Sequence, residues 1–194
     1  EHDDDRVCIN AISILTSPSK AYPWQIIEAG AVSKLLTNLA REDNDTVRAN
    51  AARAIEELAK DCQAELVEAG VVAGLVARLT HAHDRTRGNA TQALGHIAAE
   101  YPKEVIQTKP LPVLVANLDS EHDLTRKQTT YVLAKLFEQY PDEAVRGRAI
   151  PKLAENLDDP NSTVQRYSQA ALERVARKYP EQVERERERQ SGWL

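Results

Sequence analysis

Histidine and carboxylate side chains cluster in the segment "HAHD", His81 to Asp84. His122 and Asp123 form a similar pair 39 residues after His83 and Asp84. Imidazole and carboxylate groups are suitable ligands for transition metals. However, both segments have the polar composition of turns, where such side chains are usually hydrated. We therefore name these histidines as the nearest metal candidate and predict neither a metal site nor a cofactor.

Catalytic motifs of the common kinds are not found in the sequence. It has no glycine-rich phosphate loop, no nucleophile elbow and no cysteine–histidine constellation. Cys8 and Cys62 lie far apart and match neither a metal nor a redox spacing. The sequence therefore predicts a non-enzymatic protein from a reducing, intracellular compartment.

A column of polar residues offers chemistry for binding instead. Its members recur every 39 or 40 residues and are Asn10, Asn50, Asn89, Gln128 and Tyr167. An amide side chain has a donor and an acceptor, so a row of amides can bind the backbone of an extended peptide. Alternatively, the amides bond to one another or to helix ends, and the sequence leaves both possibilities open.

The same interval of 39 to 40 residues organises the whole chain. The dipeptide Tyr-Pro stands at 22–23, 101–102, 140–141 and 179–180, and Cys62-Gln63 occupies the remaining position of that column. Apolar columns keep the same register. We predict one domain, 1–194, with copies at 1–22, 23–61, 62–100, 101–139 and 140–178 and a polar cap at 179–194.

Each copy has a pattern typical of two helices. In "TVRANAARAIEELAKD" the apolar residues have helical spacing, with a Thr or Asp just ahead as the expected N-cap. The other segment, as in "RAIPKLAENLDDPNS", ends in a turn. Proline is tolerated at the first helical position. Tyr-Pro therefore predicts a helix-to-helix corner, with the tyrosine hydroxyl bonded to water or to a backbone carbonyl.

These patterns together resemble the HEAT and armadillo class of α-solenoid. Residues 26–60 are similar to an armadillo unit, with Ala29-Gly30 at the sharp turn and the segment from Asp45 to Arg48 opening the long helix. Later copies are more similar to HEAT units, and the excess of Arg over Lys is similar to HEAT proteins of salt-loving archaea. The resemblance implies an all-α fold, a right-handed α-solenoid of about five repeats.

The resemblance also implies a function, a scaffold that binds a protein or peptide through the concave face lined by the long helices. Peptide-binding armadillo proteins carry an Asn near the end of that helix, but the matching positions here hold Glu57, His96, Lys135 and Arg174. The corresponding Trp positions hold Arg53, Gln92, Tyr131 and Ala170. These departures argue against an import-type or catenin-type ligand. The predicted partner-binding residues are Asn50, Asn89, Gln128, Tyr131, Tyr167, His96, Lys135 and Arg174.

Other residues have roles that the resemblance suggests. Arg48, Arg87 and Arg126 recur beside Asp45, Asp84 and Asp123, like the structural Arg–Asp ladder between HEAT units. Iron-binding HEAT-like hydroxylases use His-Glu pairs, whereas Glu121-His122 has the reverse order. A HEAT-like enzyme or nucleic-acid-binding protein is the alternative function. The net charge of −5 disfavours nucleic acid as the partner.

The remaining predictions concern location and the end of the array. No apolar run approaches the roughly 20 residues that span a bilayer, and no signal peptide is evident, which predicts a cytoplasmic protein without a membrane partner. The segment "EQVERERERQ" predicts a polar terminal helix, with pairs Glu184/Arg187 and Glu186/Arg189. Such a cap ends stacking in repeat proteins.

Overall fold

The computed structural model describes residues 23–192, so the first copy and Trp193-Leu194 lie outside the described residues. This part is helical throughout and contains no strand, which confirms the all-α prediction. It divides into two compact units, 23–108 and 109–192.

The unit 23–108 contains seven helices. They are α1 Pro23–Glu28, α2 Ala31–Ala40, α3 Asp45–Leu58, α4 Gln63–Glu68, α5 Val71–Arg78, α6 Asp84–Glu100 and α7 Pro102–Gln107. The long helices α3 and α6 pack against each other, and α2 and α5 cover them. Buried alanines of α3, Ala49, Ala51, Ala52 and Ala54, allow a close approach of the helices.

The unit 109–192 contains six α-helices and one turn of 3-10 helix at Asn156–Asp158. The α-helices are α8 Leu111–Asn117, α9 Asp123–Gln139, α10 Pro141–Arg146, α11 Ala149–Glu155, α12 Ser162–Ala176 and α13 Pro180–Gln190. The long helices α9 and α12 form the main contact, and α13 packs on α11 and α12. Phe137 and Leu172 are fully buried in this unit.

Each described copy has three helices rather than the two that the sequence pattern predicts. A residue with positive φ divides the first segment of each copy. It is Gly30 (φ 72°) or Gly70 (φ 74°) in the earlier copies and Lys109 or Arg148 (both φ 56°) in the later ones. Side chains disfavour this left-handed conformation. The pattern misses the later turns because no glycine marks them.

The helix caps also differ from the prediction. Asn44 is the N-cap of α3, and its side chain accepts the Val47 N–H at 3.0 Å, so Asp45 lies in the first turn. Asn161 caps α12 in the same way by accepting the Thr163 N–H at 2.9 Å. An N-cap residue has extended backbone and a side chain that accepts a hydrogen bond. At α3, Asn44 meets both conditions one residue before Asp45, the expected cap.

The Tyr-Pro corners are present as predicted. Tyr101 and Tyr140 are the C-cap residues of α6 and α9, whereas Tyr179 stands three residues after the end of α12. The proline after each tyrosine begins the next helix. The hydroxyl of Tyr179 donates to Asp142 Oδ1 at 3.0 Å, and so it bonds a carboxylate of the preceding corner rather than water or a carbonyl. Lys178 binds the same oxygen at 2.6 Å. These bonds hold the pKa of Asp142 below its usual range.

Replacing Arg148 by glycine should stabilise the protein. The change removes the steric cost of a β-carbon at φ 56°, and we expect a gain of about 0.5–1 kcal/mol after the extra entropy of the unfolded chain is subtracted. Urea unfolding followed by circular dichroism measures it. Arg148→Ala is the matched control, because it removes the guanidinium and keeps the β-carbon. An equal gain in both variants would assign the effect to the side chain rather than to the backbone.

Candidate partner-binding surface

Two tyrosines on the neighbouring long helices of the unit 109–192 contact each other. Tyr131 lies on α9 and Tyr167 on α12, with ring centroids 5.3 Å apart and planes tilted by 52°. Both residues are partly buried and partly exposed. Tilted aromatic pairs stabilise by about 0.5–1.5 kcal/mol beyond the area they bury. The pair, which we call the tyrosine platform, is thus a positioned aromatic surface open to solvent.

The hydroxyl group of Tyr131 stays protonated at neutral pH. Burial raises the pKa of Tyr131, and the neighbouring Tyr167 raises it further. A protonated phenol both donates and accepts a hydrogen bond. The platform therefore combines apolar ring surface with polar edges.

Cationic side chains flank both rings. Lys135 Nζ lies 5.6 Å from the centroid of the Tyr131 ring, and Arg166 Cζ lies 5.3 Å from that of Tyr167. Such contacts are worth about 0.5–1 kcal/mol at exposed sites. Of the predicted residues, the structure brings Tyr131, Tyr167 and Lys135 together. Arg166 was missed because helical spacing does not align it with the polar column, although its position beside Tyr167 in sequence is a signal.

Arg174 extends this surface two turns beyond Tyr167 on α12. Its Nε lies 3.3 Å from Glu138 Oε2 on α9, and one of its terminal nitrogens donates to the Ala170 carbonyl at 3.0 Å. Glu138 is exposed, so its attraction for Arg174 is weakened by solvent. Sequence reasoning missed Glu138 as well, although it follows Lys135 by one helical turn.

The unit 23–108 has a different arrangement at its long helices, centred on the buried Glu56. Glu56 Oε1 accepts Gln92 Nε2 at 2.9 Å, lies 3.0 Å from Lys60 Nζ and is 3.5 Å from His96 Nε2. Burial raises the pKa of Glu56, but the neighbouring His96 and Lys60 outweigh it and hold the pKa below its ordinary value. His96, a predicted binding residue, is therefore engaged with an internal carboxylate.

The amide column also makes internal bonds in this unit. Asn89 Nδ2 on α6 donates to the Ala49 carbonyl of α3 at 3.0 Å. Asn50 is only 9% exposed. Gln128, on α9 of the other unit, is partly exposed. Asn89 thus bonds the backbone of the neighbouring long helix, whereas the alternative drawn from the sequence had the amides bond to one another or to helix ends.

The histidines of the metal candidate shape their turns. The His83 N–H donates to His81 Nδ1 at 3.0 Å, and His83 Nδ1 lies 3.1 Å from Thr86 Oγ1. His83 and His122 are the N-cap residues of α6 and α9. Among residues 23–192, no three His, Cys, Asp or Glu side chains are grouped to hold a metal ion.

The arginine column fastens turns to long helices. Arg87 donates to the His81 carbonyl at 2.8 Å and pairs with Asp84 of its own helix, and Arg48 makes the equivalent bonds to the Arg41 carbonyl and Asp45. Each of these two Arg–Asp pairs lies within a single helix, α3 or α6, and neither joins one copy to the next.

Arg126 alone of these three arginines makes a described pair with the next copy. It donates through Nε to Asp159 Oδ2 at 2.6 Å and also bonds the Ser120 carbonyl at 2.6 Å. In the last copy Gln165 replaces the arginine and donates to the Asp159 carbonyl at 2.7 Å. The column is therefore structural in each described copy.

A shallow cavity of about 270 Å³ lies between α10, α11 and α13. Its walls are Ala144, Val145, Arg148, Ile150, Pro151, Gln182, Arg185 and Glu186. The cavity marks where the last helix covers the apolar side of the final copy.

Sequence and fold comparisons agree with this architecture. Residues 32–134, more than half of the chain, match the family described as HEAT repeats. The chain belongs to the HEAT-repeat family. No curated protein sequence matches this HEAT-repeat chain.

Several solved structures similar to the HEAT-repeat chain are engineered proteins. A designed armadillo repeat protein is 26% identical with a TM-score of 0.83, over 92% of this chain and 79% of that one. An engineered protein is 29% identical with a TM-score of 0.84, over 90% and 77%. An armadillo repeat protein computationally designed for modular peptide recognition is 25% identical with a TM-score of 0.82, over 91% and 77%.

These similarities establish the fold class as an α-solenoid of the HEAT/armadillo type, as predicted. Within residues 23–192, no helix has both the length and the apolar character needed to cross a bilayer.

Proposed function

We propose that this HEAT-repeat chain is a non-enzymatic interaction protein that binds an extended segment of a partner protein across its long helices. The observation that supports the proposal is the tyrosine platform, two rings in contact at 5.3 Å that remain partly exposed. Tyrosine is enriched among the residues that dominate protein interfaces. A similar fold has been designed for modular peptide recognition, which is consistent with the same use here.

The platform suits an extended chain for a physical reason. A tyrosine contributes a large contact area while it loses only two side-chain torsions on binding. Tyr131 and Tyr167 already restrain each other in the free protein, so their side chains lose less conformational entropy when a partner binds. Gln128, one turn before Tyr131, adds an amide group that can bond a peptide backbone.

The other predicted residues have unequal roles in this proposal. Lys135 and Arg174 lie along the same two helices as the platform and contribute charge. Asn50, Asn89 and His96 belong to the unit 23–108, where burial or internal bonds restrain them. We assign them a supporting role, in which they hold the long helices in place beside the partner.

A random peptide library displayed on phage tests the proposal with the whole chain as bait. We expect enriched peptides whose affinity falls at least tenfold in the double variant Tyr131→Ala with Tyr167→Ala, since truncating an interface tyrosine costs on the order of 2 kcal/mol. Circular dichroism at the assay temperature checks that the variant remains folded.

Trp24→Ala is the matched control. Trp24 is 51% exposed and lies on α1, so this variant also removes an exposed aromatic ring. It should retain the enriched peptides. Equal binding by the tyrosine variant and the parent chain, or the absence of any enriched peptide, would contradict the proposed function.

A further inference from the structure

The charges around the tyrosine platform are unbalanced. Lys135 and Arg166 contact the two rings, and Arg174 lies two turns beyond Tyr167 on α12. Glu138 pairs with Arg174 at 3.3 Å. Lys135 and Arg166 make no ion pair with a described carboxylate. The platform thus has two positive charges without a described carboxylate partner, on a chain whose net charge is −5.

The corresponding polar cluster of the unit 23–108 is neutralised internally. Lys60 Nζ lies 3.0 Å from Glu56 Oε1 and 2.8 Å from Glu57 Oε2, so its charge is compensated twice. His96 faces the same Glu56 carboxylate. Lys60 and His96 of this cluster therefore face internal carboxylates, unlike Lys135 and Arg166 beside the tyrosine platform.

We propose that the segment bound at the tyrosine platform is acidic, an extended stretch of a partner protein in which Asp or Glu alternates with apolar residues. This inference rests on the function proposed above. The rings would pack against the apolar residues, and Lys135 and Arg166 would pair with the carboxylates. Complementary charge of this kind raises the association rate and selects the partner.

Nucleic acid fits the same surface less well. Stacking of bases on the tyrosines is possible in principle, but affinity for nucleic acid depends on many phosphate contacts. Two cations beside the rings of an acidic chain supply few such contacts. A polypeptide with a few carboxylates needs no more than these.

Three synthetic peptides of equal length test the charge preference. They repeat Pro-Glu, Pro-Gln or Pro-Lys, so all three have the extended polyproline conformation and differ in charge alone. We expect fluorescence anisotropy to show at least tenfold tighter binding of the Pro-Glu peptide than of the Pro-Gln peptide. The difference should shrink as salt is added, because salt screens exposed charges.

Charge reversal on the whole chain locates the effect. Lys135→Glu with Arg166→Glu should weaken binding of the Pro-Glu peptide at least tenfold. Lys34→Glu with Lys103→Glu changes the net charge equally at two exposed lysines of the other unit and should leave the affinity unchanged. An equal loss of affinity for the Pro-Glu peptide in both double variants would assign the effect to the net charge of the chain and overturn the inference.

The phage experiment separates failure of the inference from failure of the proposed function. Enriched peptides that need the tyrosines but are neutral or basic would leave the proposed function standing and refute the acidic segment. Enrichment of acidic sequences supports both. Tighter binding of single-stranded oligothymidine than of the Pro-Glu peptide would refute the acidic segment in favour of nucleic acid.

Discussion

Replacing Asp159 by asparagine should destabilise the unit 109–192 by about 2 kcal/mol at neutral pH. Asp159 is 7% exposed and accepts Arg126 Nε at 2.6 Å, a second Arg126 nitrogen at 3.2 Å and the Asn161 N–H at 2.8 Å. Asparagine can still accept one of these bonds, but it cannot balance the guanidinium charge. Urea unfolding at several pH values measures the loss.

The loss should depend on pH in a defined direction. Burial raises the pKa of Asp159, but the bonds from Arg126 and from the Asn161 N–H outweigh it and hold the pKa below its ordinary value. A carboxyl group of this kind stabilises the fold above its unfolded pKa, and the stabilisation disappears as pH falls through the folded pKa. The two proteins should therefore converge in stability as pH falls below about 4.

Asp158→Asn is the control for this experiment. Asp158 is the neighbouring residue, it is exposed, and it makes no described ion pair. We expect a change within about 0.5 kcal/mol at all pH values, as for most surface substitutions. A pH-independent difference between Asp159→Asn and the parent chain would exclude the carboxylate charge as the cause.

Removing the terminal helix should make the protein self-associate. Deletion of residues 180–194 eliminates α13, which packs on α11 and α12 and buries Val183 to 1% exposure. The apolar side of the last copy, including Val145, Ile150 and Pro151, would then meet water. Repeat arrays without a polar terminal unit are poorly soluble, so sedimentation velocity should show oligomers in place of the parent species.

A point variant tests the same idea without shortening the chain. Val183→Arg places a charge where α13 docks, whereas Glu184→Arg changes the next, exposed residue of the same helix. We expect self-association in the first variant and not in the second. If the deletion variant and Val183→Arg both sediment as the parent protein does, α13 is not a cap.

Of the two ion pairs predicted on α13, the pair Glu186/Arg189 is present at 3.0 Å. Arg187, predicted to pair with Glu184, instead donates to Gln169 Oε1 at 3.3 Å, a contact that fastens α13 to α12.

Repetition made much of the fold predictable from sequence. Apolar residues at helical spacing, repeated every 39 to 40 residues, determine where the long helices lie and which side they bury. Tyr-Pro predicts the corners at 101–102, 140–141 and 179–180, because proline fixes the first residue of a helix. These features depend on neighbours along the chain, which a sequence displays directly.

Local conformation without a sequence marker was harder to predict. The turn at Arg148 has φ 56°. Glycine at position 30 indicates a left-handed turn in the sequence, whereas arginine at position 148 does not. The predicted N-cap of α3 was one residue too late, because Asp45 is as suitable a cap by residue type as Asn44, which precedes it. In both places the surrounding helices impose a conformation that the residue type alone leaves undecided.

The candidate surface depended still more on tertiary structure. The amino-acid sequence determined that Tyr131 and Tyr167 lie on successive long helices, and it identified Lys135 and Arg174 as their neighbours. Only the tertiary structure decided that the two rings meet at 5.3 Å, whereas Asn89 fastens α6 to α3 and His96 faces Glu56. A helical period fixes which side of a helix a residue occupies. The distance between helices and the side-chain rotamers, which are set by packing across about one repeat of chain, decide whether that residue bonds inside the protein or remains exposed to a partner.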